Sequence, residues 1–324
     1  MKKSVINFIE KNCLLNRSDK IIIGVSGGPD SVYLLLLLNW LRKKLSLNLF
    51  VAHVDYRLRK TSGKDALFVR DLSKSLDISF YQKKVSLNNV GDSLEQAARK
   101  IRFDYFLSLA KKLKANKIAL AHNLDDQAET VLMRMIRGTG LYGLSAMIPK
   151  RAFGSVTIIR PLLAVKKNKL IKYLDSKKIK YRIDKTNKKD IYLRNKIRNK
   201  FLPLLKTYNP RIEYALVNLA NNASLDYELI DSFARITYKR LLKNKTDKRV
   251  VFKIEELRNI HPSLLRLVIR FSYQDLKGDL RRFDFRHFSE VKDLIFSRPD
   301  KSIVHLPADI SVQKMQDRLY FKLK

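Results

Sequence analysis

Apolar positions in the first half of the chain fall into short dense runs separated by segments in which they recur every three or four residues. Residues 20–25 hold three consecutive isoleucines, the mark of a strand buried on both faces. A short helix over 5–15 precedes it, and a glycine-rich turn follows, opening a helix from about Asp30. The order then repeats: strand 48–54, helix 64–76, strand 78–85, helix 93–114, strand 117–121, helix 125–137, and a further strand at 156–159. Strands alternating with helices at this spacing predict βαβ units, hence an α/β fold with a doubly wound, mostly parallel sheet. Ligands of such sheets sit at the carboxyl ends of the strands, so the chemistry is sought in the residues just after each one.

Past Pro161 the pattern changes. Basic helices run to about Leu202 and close at Pro203, and beyond Asn209-Pro210 one long helical pattern (Leu216, Leu219, Ala223, Tyr227, Ile230, Ala234) continues to about Leu242. Residues 244–247 read as a turn. The rest predicts helices at 262–276 and 285–296 with alternating strands near 303–306 and 318–323, a small α+β domain. The expected organisation is a large α/β domain over 1–208, a helical linker over 209–245 and the small domain over 246–324.

With 45% apolar and 30% charged residues, and only 10 Gly and 8 Pro among 324, the chain is globular and neither collagenous nor disordered in composition. Its longest strongly apolar stretch, 32–38, is far short of the ~20 residues that span a bilayer, and no membrane role is expected. Glu10 and Lys11 break the apolar segment that a signal peptide would need after Lys2 and Lys3, so a cytoplasmic location is expected. The single cysteine, Cys13, rules out an internal disulfide or a cysteine-only metal cage within these residues.

Charge changes the picture most. Sixty-seven Lys plus Arg against 31 Asp plus Glu give +36, which points to a polyanionic partner. A Lys-rich composition without any binding role would spread that charge evenly. Instead, residues 160–211 hold eighteen basic side chains against Asp175, Asp184 and Asp190, the footprint of a nucleic-acid interface.

The strongest local signal is Ser26-Gly27-Gly28-Pro29-Asp30-Ser31, directly after the first strand. Two glycines let backbone N–H groups close around phosphate oxygens, the serines add hydroxyl donors, and the helix terminus adds a positive dipole. The run is neither the Walker A pattern nor the dinucleotide fingerprint. Asp30 would repel a phosphate unless Mg²⁺ intervenes, which points to a nucleotide–metal complex, whereas a plain strand–helix turn would use Asp30 only as a helix-start residue. A second signal is His122 to Thr130. On a helix starting near Leu124, Asp125, Asp126 and Glu129 form an acidic cluster that wants a cation, either Mg²⁺ or an ammonium group, with His122 at the strand end. The alternative is carboxylates favoured by the helix dipole. Arg194 and Arg198 lie four apart and could clamp phosphates or a base edge, or form a solvated face. His261, His287 and His305 read as ordinary surface or packing residues.

The SGGxDS run resembles the signature of the PP-loop ATP pyrophosphatases, and further matches narrow the resemblance to the tRNA(Ile)-lysidine synthetases. They are His53-Val54-Asp55-Tyr56-Arg57-Leu58-Arg59; Glu95-Gln96-Ala97-Ala98-Arg99 with Arg102-Phe103-Asp104-Tyr105-Phe106; and Ala121 to Thr130. Arg137-Gly138-Thr139-Gly140-Leu141, Arg160-Pro161-Leu162-Leu163, Asp184-Lys185-Thr186-Asn187 and Arg194-Asn195-Lys196-Ile197-Arg198 complete them. Departures are Tyr56-Arg57 where the family has His-Gly and Lys185-Thr186 where it usually has x-Ser. The resemblance implies that ATP with Mg²⁺ binds at Ser26, Gly27, Gly28, Pro29, Asp30 and Ser31 beside His53, with Asp30 and Asp125 organising the metal and phosphates. It implies that the wobble cytidine of a CAU-anticodon tRNA(Ile) is adenylated and then attacked by free L-lysine. His122, Asp125, Asp126, Glu129, Arg194 and Arg198 are then substrate residues, Asp126 and Glu129 holding the lysine, while Arg102 contacts a phosphate or the transition state and Phe103 and Phe106 are core. The length resembles the shorter, two-domain form of the family, which implies a catalytic, ATP-binding domain over 1–208 and a small tRNA-binding domain over 246–324 that holds the tRNA together with the basic 160–211 region; a homodimer is compatible with the sequence. The rivals are another PP-loop enzyme, such as a tRNA thiolase or amidotransferase, and a non-catalytic RNA-binding protein on the same scaffold.

Overall fold

The computed structural model describes residues 1–57, 62–85, 94–183, 193–280 and 282–324. Two compact units emerge, Met1–Ala223 and Ser224–Lys324. The division falls inside the long helix expected as a linker.

The first unit starts with α1 (Lys2–Lys11), then β1 (Lys20–Gly24), α2 (Pro29–Leu45), β2 (Asn48–Asp55), α3 (Ser62–Ser75), β3 (Ser79–Lys84) and α4 (Leu94–Leu113). It continues with β4 (Lys117–Ala119), α5 (Leu124–Ile136), the single turn α6 (Leu141–Leu144), β5 (Lys150–Phe153), β6 (Val156–Ile159) and α7 (Lys167–Ser176). Then come α8 (Leu193–Lys196), a π-helical turn (Ile197–Phe201), α9 (Leu202–Tyr208) and α10 (Ile212–Leu241). The sheet order is β3-β2-β1-β4-β6-β5, parallel except for β5, which is antiparallel to β6.

Alternate residues of β1 serve opposite faces, which is why the run is isoleucine throughout. Ile21 and Ile23 pack with α1, α2 and α7, whereas Ile22 joins Ala52, Phe106, Leu109 and Ala110 under α4. Gly24 is obligatory at the strand end, because a Cβ there would come within 2.9 Å of the Phe106 ring. α2 opens with Pro29 at its first turn, a position where the missing N–H costs nothing, and is buried nearly all round. Phe106 is core, as expected, and half-buried Phe103 stands edge-on to Phe153 with ring centroids 5.1 Å apart.

The second unit contains β7 (Leu242–Thr246), β8 (Arg249–Lys253), α11 (Ile254–Arg258), α12 (Pro262–Lys277), α13 (Phe285–Phe296), β9 (Ile303–Leu306), β10 (Ile310–Met315) and β11 (Arg318–Leu323). Its five antiparallel strands, ordered β7-β8-β11-β10-β9, share one core with α12 and α13. The expected turn at 244–247 is a correction: residues up to Thr246 form an edge strand, and the reversal into β8 comes at Asp247-Lys248. Lysines on an exposed edge give no period-2 apolar signal and guard against edge pairing. The first helix also starts and ends earlier than expected, at Lys2 and Lys11. Among the described residues no helix is long and apolar enough to cross a membrane.

Candidate active site

Between β1 and α2 the chain makes the loop Val25–Gly28. Gly27 adopts φ +89°, a conformation L side chains rarely take, and Gly28 caps α2 without any side-chain hydrogen bond. The serines brace the loop from within: Ser31 Oγ donates to Gly28 O at 2.9 Å, and the backbone N–H of Ser26 donates to Ser31 Oγ at 3.2 Å. Gly27 O is held by the Arg182 N–H at 2.8 Å. His53, buried at the end of β2, sits under the loop with Nδ1 2.8 Å from Val25 O. Its position is that of a loop support.

Asp30 lies in the first turn of α2. Burial raises its pKa to about 6, against the attraction of Lys167, whose Nζ is 3.6 Å from Oδ2. Its Oδ1 is buried and has no hydrogen-bond partner.

From β4 the chain passes through His122 into α5. Asn123 caps that helix in a reciprocal box: its Oδ1 accepts from Asp126 N at 2.9 Å, and Asp126 Oδ2 accepts from Asn123 N at 3.1 Å. The cap therefore fixes Asp126, whose Oδ1 also accepts from Arg194 Nη2 at 2.9 Å. Burial pushes the Asp126 pKa up, but Arg194, the cap and Arg198 outweigh it, and the carboxylate lies below its ordinary range. One turn on, Glu129 is 1% exposed. It accepts from Arg194 Nε at 2.7 Å, from Arg198 Nε at 2.6 Å and from Arg198 Nη2 at 3.0 Å. Arg194 lies on α8 and Arg198 in the π-helical turn, the kind of irregular turn that often marks a functional site. Buried charges on this scale require such pairing.

His122 Nδ1 is buried without a partner. Burial drives the imidazole pKa down to about 3, with Asp126 opposing and Arg160, Arg102 and Arg194 reinforcing, so the ring is neutral at physiological pH. Arg102, on α4, is near enough for its charge to act on both His122 and Tyr56.

Asp30, His122, Asp126, Glu129, Arg194 and Arg198 thus converge at the carboxyl edge of the sheet. Asp125 does something else: its Oδ2 accepts from Lys167 N at 2.8 Å, capping α7. Among the described residues, no three His, Cys, Asp or Glu side chains gather as a metal cage. The 184–187 motif and Leu58-Arg59 lie outside the described residues. Lys167 is the participant that sequence reasoning missed, because one lysine in a basic run carries no distinguishing signal.

The PP-loop domain family matches residues 1–205. The chain is 36% identical to the tRNA(Ile)-lysidine synthase of Clostridioides difficile (strain 630) over 97% of its own length and 69% of that protein's. It is 38% identical to the synthase of Clostridium acetobutylicum over 83% of this chain and 59% of that one. It therefore spans roughly three-fifths to two-thirds of the length of these curated relatives. Among solved structures, the U34-tRNA thiolase NcsA from Methanococcus maripaludis shares the fold, with a TM-score of 0.56 at 22% identity over 68% of this chain and 77% of the other. With a PP-loop domain over most of its length and that level of identity to the first of these synthases, the chain belongs to the tRNA(Ile)-lysidine synthase family.

Proposed function

We propose that the protein joins free L-lysine to C2 of the wobble cytidine of CAU-anticodon tRNA(Ile), at the expense of ATP. The observation that carries this is the junction of a glycine loop built for phosphates with a paired acidic–arginine cluster and a neutral histidine at one sheet edge. The carbonyl oxygen on C2 attacks the α-phosphorus of ATP and pyrophosphate leaves. The ε-amine of lysine then attacks C2, the C2–O bond breaks with AMP as leaving group, and the amine loses its protons. Adenylation is needed because a carbonyl oxygen leaves poorly and a phosphate ester leaves well.

The backbone N–H groups of Gly27 and of the first turn of α2 bind the triphosphate. Asp30, with Oδ1 unpartnered, is the residue that would hold Mg²⁺, which supplies charge neutralisation at the leaving pyrophosphate. Asp125 orients Lys167 toward Asp30 through its bond to the Lys167 amide. Glu129, 1% exposed, positions Arg194 and Arg198, while Asp126, held by Arg194 and the Asn123 cap but 17% exposed, is the carboxylate that faces a lysine ammonium. Neutral His122 serves as a hydrogen-bond partner at the reacting base. The thiolase alternative lacks support, because the single cysteine of these 324 residues cannot supply a thiolate set for a cluster.

The test is transfer of labelled lysine into CAU-anticodon tRNA(Ile) with ATP and Mg²⁺, against bulk tRNA lacking that species. Incorporation confined to the CAU tRNA is the expected result. Pyrophosphate without lysine incorporation would mean the nucleophile is wrong, and neither product from folded protein would leave RNA binding as the function.

A further inference from the structure

Arg99 of α4, Arg134 of α5 and Arg151 of β5 all act electrostatically on Arg160, just after β6. Arg160 is 7% exposed, and its Nε is buried with no partner while its Nη1 donates to Ile148 O at 2.7 Å. Burial and then the charges of Arg99, Arg151 and Arg134 hold its pKa down at about 10. Arg134 Nη1 donates to Gly143 O at 2.6 Å, so Arg134 and Arg160 are both held by neutral carbonyls rather than by a carboxylate. A buried guanidinium among like charges is costly unless an anion completes it.

The register sets the face. Arg151 lies opposite Ile158 and Phe153 opposite Val156, so Arg151, Phe153 and Arg160 share one side of the sheet. On that side Val156 packs with Phe106 and Ala110 of α4. Phe153 is 46% exposed and edge-on to Phe103. Across the sheet, β4 and its His122 lie between the phosphate loop after β1 and Arg160 after β6, so this corner flanks the reacting centre on the side away from the ATP loop.

We infer that this corner grips the RNA strand beside the reacting nucleotide: Arg151 and Arg134 hold a phosphodiester, the buried charge of Arg160 strengthens their field from behind, and Phe153 stacks a neighbouring unpaired base. Cationic groups next to an exposed aromatic ring are the usual single-strand platform. The identity of the RNA rests on the proposed function, but the contact chemistry does not.

The experiment measures affinity of the full chain for fluorescently labelled CAU-anticodon tRNA(Ile) across a salt series, together with the KM for ATP. Arg151→Gln and Phe153→Ala change exposed side chains and leave the fold intact; Arg160→Gln is added with a thermal-unfolding control. Arg151→Gln is expected to weaken tRNA binding about 3- to 10-fold and lower the log–log salt slope by about one. Phe153→Ala is expected to weaken it about 5- to 10-fold with the slope unchanged, and Phe153→Trp to restore it. Wild-type affinity and slope in both exposed variants would overturn the inference, as would a raised KM for ATP with tRNA binding intact. Lysine transfer by the wild-type protein is measured in parallel. Transfer with insensitive tRNA binding sinks this inference alone, whereas sensitive tRNA binding without transfer sinks the lysidine reading and sustains the RNA contact.

Discussion

Ionic clusters are buried at both ends of the parallel sheet, one at the amino ends of β1 and β4 and one at their carboxyl ends. At the amino end, Lys117 and Asp19, 5% and 3% exposed, pair at 2.6 Å. Lys117 Nζ also donates to Leu14 O at 2.8 Å, and Asp19 accepts from Asn116 Nδ2 at 2.8 Å and from Asn16 N at 2.6 Å. Charge and hydrogen bonds close on themselves. At the carboxyl end the pairing of Glu129 is equally tight, yet Asp30 Oδ1, His122 Nδ1 and, at its flank, Arg160 Nε are buried with no partner. The same kind of residue serves stability where its bonds are complete and recognition where they are left open.

The comparison yields predictions, taken from the largest effect on activity to the smallest. Asp30→Asn should lower tRNA-dependent pyrophosphate release by about 10³-fold or more, read by a pyrophosphate assay. The same variant should be more stable at pH 7.5. The folded pKa of Asp30 is raised to about 6 from 3.8, so the folded state binds an extra proton between those values and carries a costly charge above them. Removing that charge should raise the melting temperature, by up to about 3 kcal/mol of stability. Unchanged pyrophosphate release would remove Asp30 from the chemistry.

Arg194→Lys keeps the charge but cannot reach both Asp126 and Glu129 as the guanidinium does, and kcat should fall about 10²-fold. A kcat within threefold of wild type would reduce Arg194 to a bystander. On the acid limb, kcat/KM for ATP should drop about tenfold per pH unit below about pH 6 as Asp30 takes up its proton, and a flat profile to pH 5 would contradict the assignment. Asp19→Asn strips Lys117 of its counter-charge and should cost about 3–5 kcal/mol in denaturant unfolding. Its kcat per folded molecule should stay that of wild type, and a large kcat loss would blur the division between the two ends.

Much of the first unit is legible because β1 and α2 are buried nearly all round and so carry dense apolar runs. The edge strands β5 and β7 are not: each is almost wholly exposed, and neither alternates. In the site, Ser26 to Ser31 and His122 to Glu129 are local and readable. What joins them is not, since Glu129 meets Arg194 and Arg198 across 65 and 69 residues. Lys167 and Arg160 each read only as one cation in a basic run, until the fold sets Lys167 against Asp30 and the sheet register puts Arg160 on the same face as Arg151.

The central claim, that the tRNA is activated by adenylation before lysine arrives, is tested most directly by incubating the protein with α-labelled ATP, Mg²⁺ and CAU-anticodon tRNA(Ile) without lysine. The account predicts label on the tRNA, released as AMP when lysine is added, and none with Asp30→Asn. Lysine transfer without any label ever reaching the RNA would contradict it.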